Sequence, residues 1–139
     1  MHTSFLTAAA ALAASAIATP IESRDVLATW TATDVSSNVN HFLSGVKFHL
    51  TAPAGYVAGA PAFDVNCEVD WILNPGVQPC TANGELADGS KVEASIETSE
   101  VVTVYHTFGS QKATGASAPL TDGNLNADFT LDVSGVGSA

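Results

Sequence analysis

Phe63-Asp64-Val65-Asn66-Cys67-Glu68-Val69-Asp70-Trp71 alternates without a break: Phe63, Val65, Cys67, Val69 and Trp71 are apolar, and Asp64, Asn66, Glu68 and Asp70 are polar. Side chains point to opposite faces of a pleated strand at successive positions, so this stretch reads as a β-strand with one face on a core. Cys67 lies at the middle of the apolar face. The second cysteine, Cys80, follows across Asn74-Pro75-Gly76, where Pro75 and Gly76 suit the two central positions of a type II turn.

Working outward, residues 27–35 are rich in Thr, Trp and Val, and Val26, Ala28, Trp30 and Ala32 share a parity; this is the first strand. Residues 36–45 read as a polar loop carrying His41 and Phe42. Residues 46–51 alternate again, with Val46, Phe48 and Leu50 inward and Lys47, His49 and Thr51 outward. Residues 52–61 (APAGYVAGAP) cannot pair as a central strand, and form a long loop with Tyr56 and Val57 at an apolar tip.

Beyond the organising strand, residues 80–87 and 91–98 read as a hairpin across Asp88-Gly89. A three-residue turn with Gly89 in the left-handed region sets Leu86 against Val92, Gly84 against Ala94 and Ala82 against Ile96, which keeps the apolar residues on one side. In that register Cys80, like Cys67, points into the core. Residues 101–108 (VVTVYHTF) are apolar on both parities and read as the most buried strand. A short strand is expected around residues 112–114, and a last one over 125–133 with Leu125, Ala127, Phe129, Leu131 and Val133 inward. Seven to eight short strands with frequent turns imply an all-β fold, a small antiparallel barrel or sandwich with one disulfide.

Residues 1–18 have the apolar, alanine-rich run of a secretory signal peptide, too short to span a bilayer, with Ala16 and Ala18 placed for cleavage before Thr19. Removing eighteen of 139 residues leaves 121. Residues 19–26 then form a flexible N-terminus or short pro-segment (Ile21–Arg24), residues 27–135 one β domain, and residues 136–139 a frayed tail. The secretory route is oxidising, so two cysteines imply one disulfide, Cys67–Cys80. Closing a loop of about 14 residues stabilises a fold by roughly 3 kcal/mol in the chain-entropy picture. No Asn-x-Ser/Thr sequon is present. The net charge of −10 disfavours nucleic acid and anionic membrane surfaces as partners.

No motif in the sequence carries a reaction. His41, His49 and His106, with Asp64 or Asp70, lack metal-ligand spacing, and His106 lies in a strand that suits a hydrogen-bonded structural histidine. No Gly-x-Ser-x-Gly elbow activates a serine. No metal site and no cofactor are expected. Asp64, Glu68 and Asp70 share the outer face of their strand; a glycosidase needs paired carboxylates, but a solvated face that resists edge-to-edge association needs them too. The binding candidates are therefore Tyr56 and Val57 on their loop, that acidic face, and Tyr105 on the second face of its strand.

The order of these pieces resembles the Alternaria major-allergen family, small secreted β-barrel proteins of filamentous fungi. The pieces are the alanine-rich leader running into PIESR, then TWTATDV, GVKFHLTA, FDVNCEVDW with Cys80, VVTVYHTF and LNADFTLDV, which together span most of the mature chain. The resemblance implies a secreted, non-enzymatic protein that acts by binding a host plant protein or cell-wall component, and in some members a small phenolic ligand. Cys67 and Cys80 would match the family's first intramolecular disulfide. The family's second disulfide is missing, as is the cysteine that links its best-known members into dimers, so dimerisation is not carried over. Two alternatives follow from the residues: a carbohydrate-binding cell-wall module stacking sugars on Tyr56 and Tyr105, and, behind it, a small secreted hydrolase.

Overall fold

A computed structural model describes residues 25–120 and 125–139. Residues 1–18, expected to be a signal peptide, and the 21–24 segment lie outside the described residues. Among the described residues nine antiparallel strands form one sheet: β1 Ala28–Val39, β2 Leu43–Ala52, β3 Phe63–Asp70, β4 Gln78–Pro79, β5 Thr81–Ala82, β6 Lys91–Ile96, β7 Val102–Phe108, β8 Gln111–Ala116 and β9 Phe129–Ser138. The sheet runs β4-β6-β7-β8-β9-β1-β2-β3-β5. It curls until its two long outer strands, β3 and β6, contact each other, giving a nearly closed barrel.

The seam between β3 and β6 is sealed by a single segment that changes partner. Gln78 and Pro79 pair with Ala94 and Glu93 of β6, the Cys80 amide donates to the Val92 carbonyl, and Thr81 and Ala82 then pair with Asn66 and Val65 of β3. The Cys67–Cys80 disulfide sits at this crossing. Strand edges left open would invite pairing with other chains, and this segment covers part of both. The expected hairpin of residues 80–87 with 91–98 does not form. Pairing with β3 draws residues 81 and 82 away from β6, and positive φ at Gly84 (99°) then ends the strand. Only the turn at Asp88-Gly89 is retained, with Gly89 at φ 75° and Ser90 N–H donating to Ala87. Cys67 is buried as expected, whereas Cys80 is only half-buried because it lies on the seam.

The alternation is as the sequence implies over residues 46–52 of β2 and 63–69 of β3, strands that pair in unbroken register from Gly45 opposite Asp70 to Ala52 opposite Phe63. Four other expectations are corrected. β1 runs four residues beyond Val35, because a bulge after Thr33, with Asp34 at φ 53°, inserts one extra residue and lets the polar stretch 36–39 keep pairing with β2. β7 is not buried on both faces: Val102, Val104, His106 and Phe108 are buried, and Thr103, Tyr105 and Thr107 are half-buried. β9 begins only at Phe129, leaving Leu125 half-buried and Ala127 exposed in the preceding loop. The tail does not fray; Val136, Gly137 and Ser138 pair with Ala113, Lys112 and Gln111 of β8.

The core is filled from every strand face that points inward, with Trp30, Leu50, Leu131 and the valines of β2, β3, β7 and β9 among its most enclosed side chains. Gly115 on β8 faces Trp30 so closely that a Cβ there would lie 2.8 Å from the indole Cζ3. His106 is fully buried between two hydroxyls, Tyr56 Oη at its Nδ1 and Ser90 Oγ at its Nε2, each at 2.7 Å. A neutral imidazole has one donor and one acceptor nitrogen, so one hydroxyl donates and the other accepts. Burial holds its pKa down at about 4.

Candidate functional site

In an up-and-down meander, alternate turns emerge at the same end of the barrel. The turn 40–42, the loop 71–77, the turn 97–101 and the stretches 117–120 and 125–128 share one end; the 53–62 loop and the turns around 88 and 109 share the other. Val39, Phe42, Ile72, Leu73 and Val77 are all exposed at the first end, with Leu73 71 % accessible. They are five of the seven large apolar side chains exposed among the described residues, the other two being Val26 and Leu27. Singly scattered exposed apolar residues need no explanation, but these five are concentrated on a strand end and adjacent loops.

Asp70 builds this end. Gly45, its cross-strand partner, has no side chain, and a Cβ there would sit 2.7 Å from Asp70 Oδ2. The Asp70 carboxylate therefore folds over β2 instead of projecting into solvent, and is only 5 % exposed. Its Oδ1 accepts from the Ile72 and Leu73 amides at 2.9 and 2.8 Å, and its Oδ2 accepts from Asn38 Nδ2 and Ser44 Oγ at 2.9 and 3.2 Å. Burial alone would raise its pKa, but these four hydrogen bonds together hold it below the usual carboxylate range. The outer-face role expected of Asp70 is thus corrected: it is the buried cap of the 71–74 turn, and turns Ile72 and Leu73 outward. Trp71, expected in the core, is half-buried at the rim. Its ring stacks on Phe42 at 5.6 Å between centroids, and its Nε1 donates to the Leu43 carbonyl. The β1–β2 turn and the β3–β4 loop are thereby locked together, with one face of the stack open to solvent.

The other sequence candidates are placed differently. Asp64 and Glu68 do project from the outer face of β3. Asp64 Oδ1 lies 2.6 Å from His49 Nε2 and accepts from Asn83 Nδ2 at 2.9 Å; hydrogen bonds from Asn83 and His49 keep its pKa below the usual value. Glu68 pairs with Lys47 at 3.6 Å, an exposed contact that adds little to stability. Two adjoining clefts of about 330 and 450 Å³ flank this ion pair and share Lys47, Glu68 and Asn74. Tyr56 is not displayed at a loop tip. It folds onto the barrel, edge-on to Trp30 at 5.3 Å and bonded to His106, and burial raises its pKa. Tyr56 and Val57, with Leu27, Ala58, Gln111 and Val136, line a cleft of about 400 Å³. Tyr105 is half-buried with the Lys112 ammonium 5.4 Å from its ring centre. The structure brings none of Tyr56, Asp64 and Tyr105 together.

Among the described residues no group of three or more His, Cys, Asp or Glu is arranged to hold a metal ion. The nearest approach to a catalytic arrangement is Asp64–His49, whose remaining nitrogen faces the Thr33 hydroxyl at 3.4 Å. That exceeds the usual hydrogen-bond distance to a hydroxyl, and Asp64 is open to water.

Fold and surface together define a class: a small all-β barrel, stapled by one disulfide at its seam, with a rigid apolar end. No family model matches the chain, no curated protein matches it, and no solved structure matches it.

Proposed function

We propose that this protein is a secreted, non-enzymatic binding protein of the kind its resemblance to the Alternaria major-allergen family implies, recognising a host plant protein or cell-wall component. The observation that carries the reading is the gathering of Val39 at the end of β1 with Phe42, Ile72, Leu73, Val77 and the rim of Trp71 on the adjoining loops at one end of the barrel. Loops held by a rigid scaffold are where binding function concentrates, and here Asp70 and the Phe42–Trp71 stack supply the rigidity. The test is affinity capture from plant extract and cell-wall fractions with the mature chain, beside a Phe42→Ser/Leu73→Ser variant. The reading expects a retained protein or polymer that the variant loses; equal retention by both would refute it.

A second reading, a carbohydrate-binding module, is favoured by the polar clefts beside Lys47 and Glu68, which carry Asn38, Asn66, Asn74 and Gln78. Sugar contacts there would use side-chain amides and carboxylates instead of the Tyr56 and Tyr105 platforms. Glycan-array binding lost on Glu68→Ala and Asn74→Ala, but kept on Phe42→Ser, would select it.

A further inference from the structure

The apolar end has a charge environment that narrows what can cover it. The turn between β6 and β7 carries Glu97 and Glu100, and the loop entering β9 carries Asp128. Gln78 pairs with Ala94, so the preceding residue, Val77, lies alongside the end of β6, close to where Glu97 begins the next turn. Of the described lysines, Lys91 and Lys112 lie near the starts of β6 and β8 at the opposite end, while Lys47 lines the cleft beside Leu73 and Asn74 with its ammonium paired to Glu68. Apart from His41, no basic side chain among the described residues projects from the loops of the apolar end.

A second copy would bring Glu97, Glu100 and Asp128 of one chain against the same surface of another, on a molecule already at −10. A two-fold interface is self-complementary, so like charges would meet like. An anionic bilayer fails on the same ground. We infer that this end docks a cationic polypeptide segment bearing apolar side chains: its aliphatic or aromatic residues cover Phe42, Ile72, Leu73 and Val77, and its Lys or Arg side chains meet the flanking carboxylates. The carboxylates contribute chiefly to encounter rate and partner choice, and the apolar centre to residence time. The inference rests on the binding reading proposed above and specifies its partner.

Three short synthetic peptides serve as probes of the full mature chain by titration calorimetry: one alternating Lys and Leu, one alternating Glu and Leu, and one alternating Lys and Ser. Binding of the Lys/Leu peptide is expected, at least tenfold tighter than either other. It should weaken about tenfold between roughly 50 and 500 mM salt. Phe42→Ser/Leu73→Ser should weaken it at least tenfold, and Glu97→Gln/Glu100→Gln severalfold, while Glu85→Gln/Asp88→Gln at the opposite end leaves it unchanged. Equal affinity for the Glu/Leu peptide, loss of affinity on the Glu85/Asp88 variant equal to that on Glu97/Glu100, self-association without peptide binding, or no binding at all would overturn the inference. If capture from plant extract depends on Phe42 and Leu73 while the peptide results do not depend on charge, this inference fails and the binding reading stands. If capture ignores Phe42 and Leu73, the binding reading fails too.

Discussion

Replacing His106 by glutamine should flatten the acid side of the stability curve. In the unfolded chain this imidazole titrates near 6.5, whereas burial between Tyr56, Ser90, Phe63 and Phe108 lowers its folded value to about 4. Between those values the unfolded chain holds a proton that the folded chain does not. Acidification therefore favours unfolding: the contribution is complete above pH 6.5, falls as pH drops towards 4, and changes no further below that. At about 1.4 kcal/mol per unit the whole window is worth up to about 3 kcal/mol. In a domain of this size that lowers the melting temperature by about 10 °C. Asp64 and Asp70, both with lowered pKa values, act in the same direction but at lower pH, where their carboxylates protonate. Glutamine keeps one donor and one acceptor for the two hydroxyls and removes the titration. The assay is urea unfolding followed by tryptophan fluorescence at pH 7, 5.5 and 4.5, on wild type and His106→Gln. Wild type should lose most of its 3 kcal/mol across this series, and the variant only a small part. Parallel pH dependences, or an NMR titration of His106 near 6.5, would refute the reasoning.

Other perturbations follow from the same packing. Replacing both Cys67 and Cys80 by alanine should cost about 3 kcal/mol in chemical denaturation, with amide exchange rising first at residues 78–82, where the seam is closed. Gly115→Ala drives a Cβ into the Trp30 ring and should cost about 1–3 kcal/mol by thermal unfolding. Asp70→Ala removes the acceptor of four hydrogen bonds and should cost about 2–3 kcal/mol, with NMR showing the 71–74 turn loosened. Phe42→Ser/Leu73→Ser should cost about 1–2 kcal/mol by chemical denaturation, since Leu73 is largely exposed and Phe42 loses its stack on Trp71.

Much of the barrel is legible in local sequence. Residues 46–52 of β2 and 63–69 of β3 alternate without a break, and period-two reading suits them. Their shared register also puts Cys67 on the core side. What is not legible depends on partners remote in the chain. The segment Gln78–Ala82 looks like the start of one strand, yet it serves two strands in turn because the barrel's edges meet there. The Gly/Ser-rich end of β9 has no propensity to speak of and is held by pairing with β8. Asp70 follows the polar parity of β3, and only the missing side chain of Gly45 lets it turn inward. Tyr56 resembles an exposed loop aromatic until His106, fifty residues on, supplies a partner for its hydroxyl. The apolar end had one local signal, the run Trp71-Ile72-Leu73 continuing past a strand end into a Pro-Gly turn, but Phe42 joins it only through the β1–β2 turn.

The most direct test of the proposed function is a hydrogen–deuterium exchange footprint of residues 19–139, alone and with whatever component of plant extract the capture experiment retains. Protection confined to residues 39–43, 71–77 and 97–101 is the predicted result. Protection centred instead on the 53–62 loop and the turns at the opposite end, or on the outer face of β3 around Asp64 and Glu68, would contradict it.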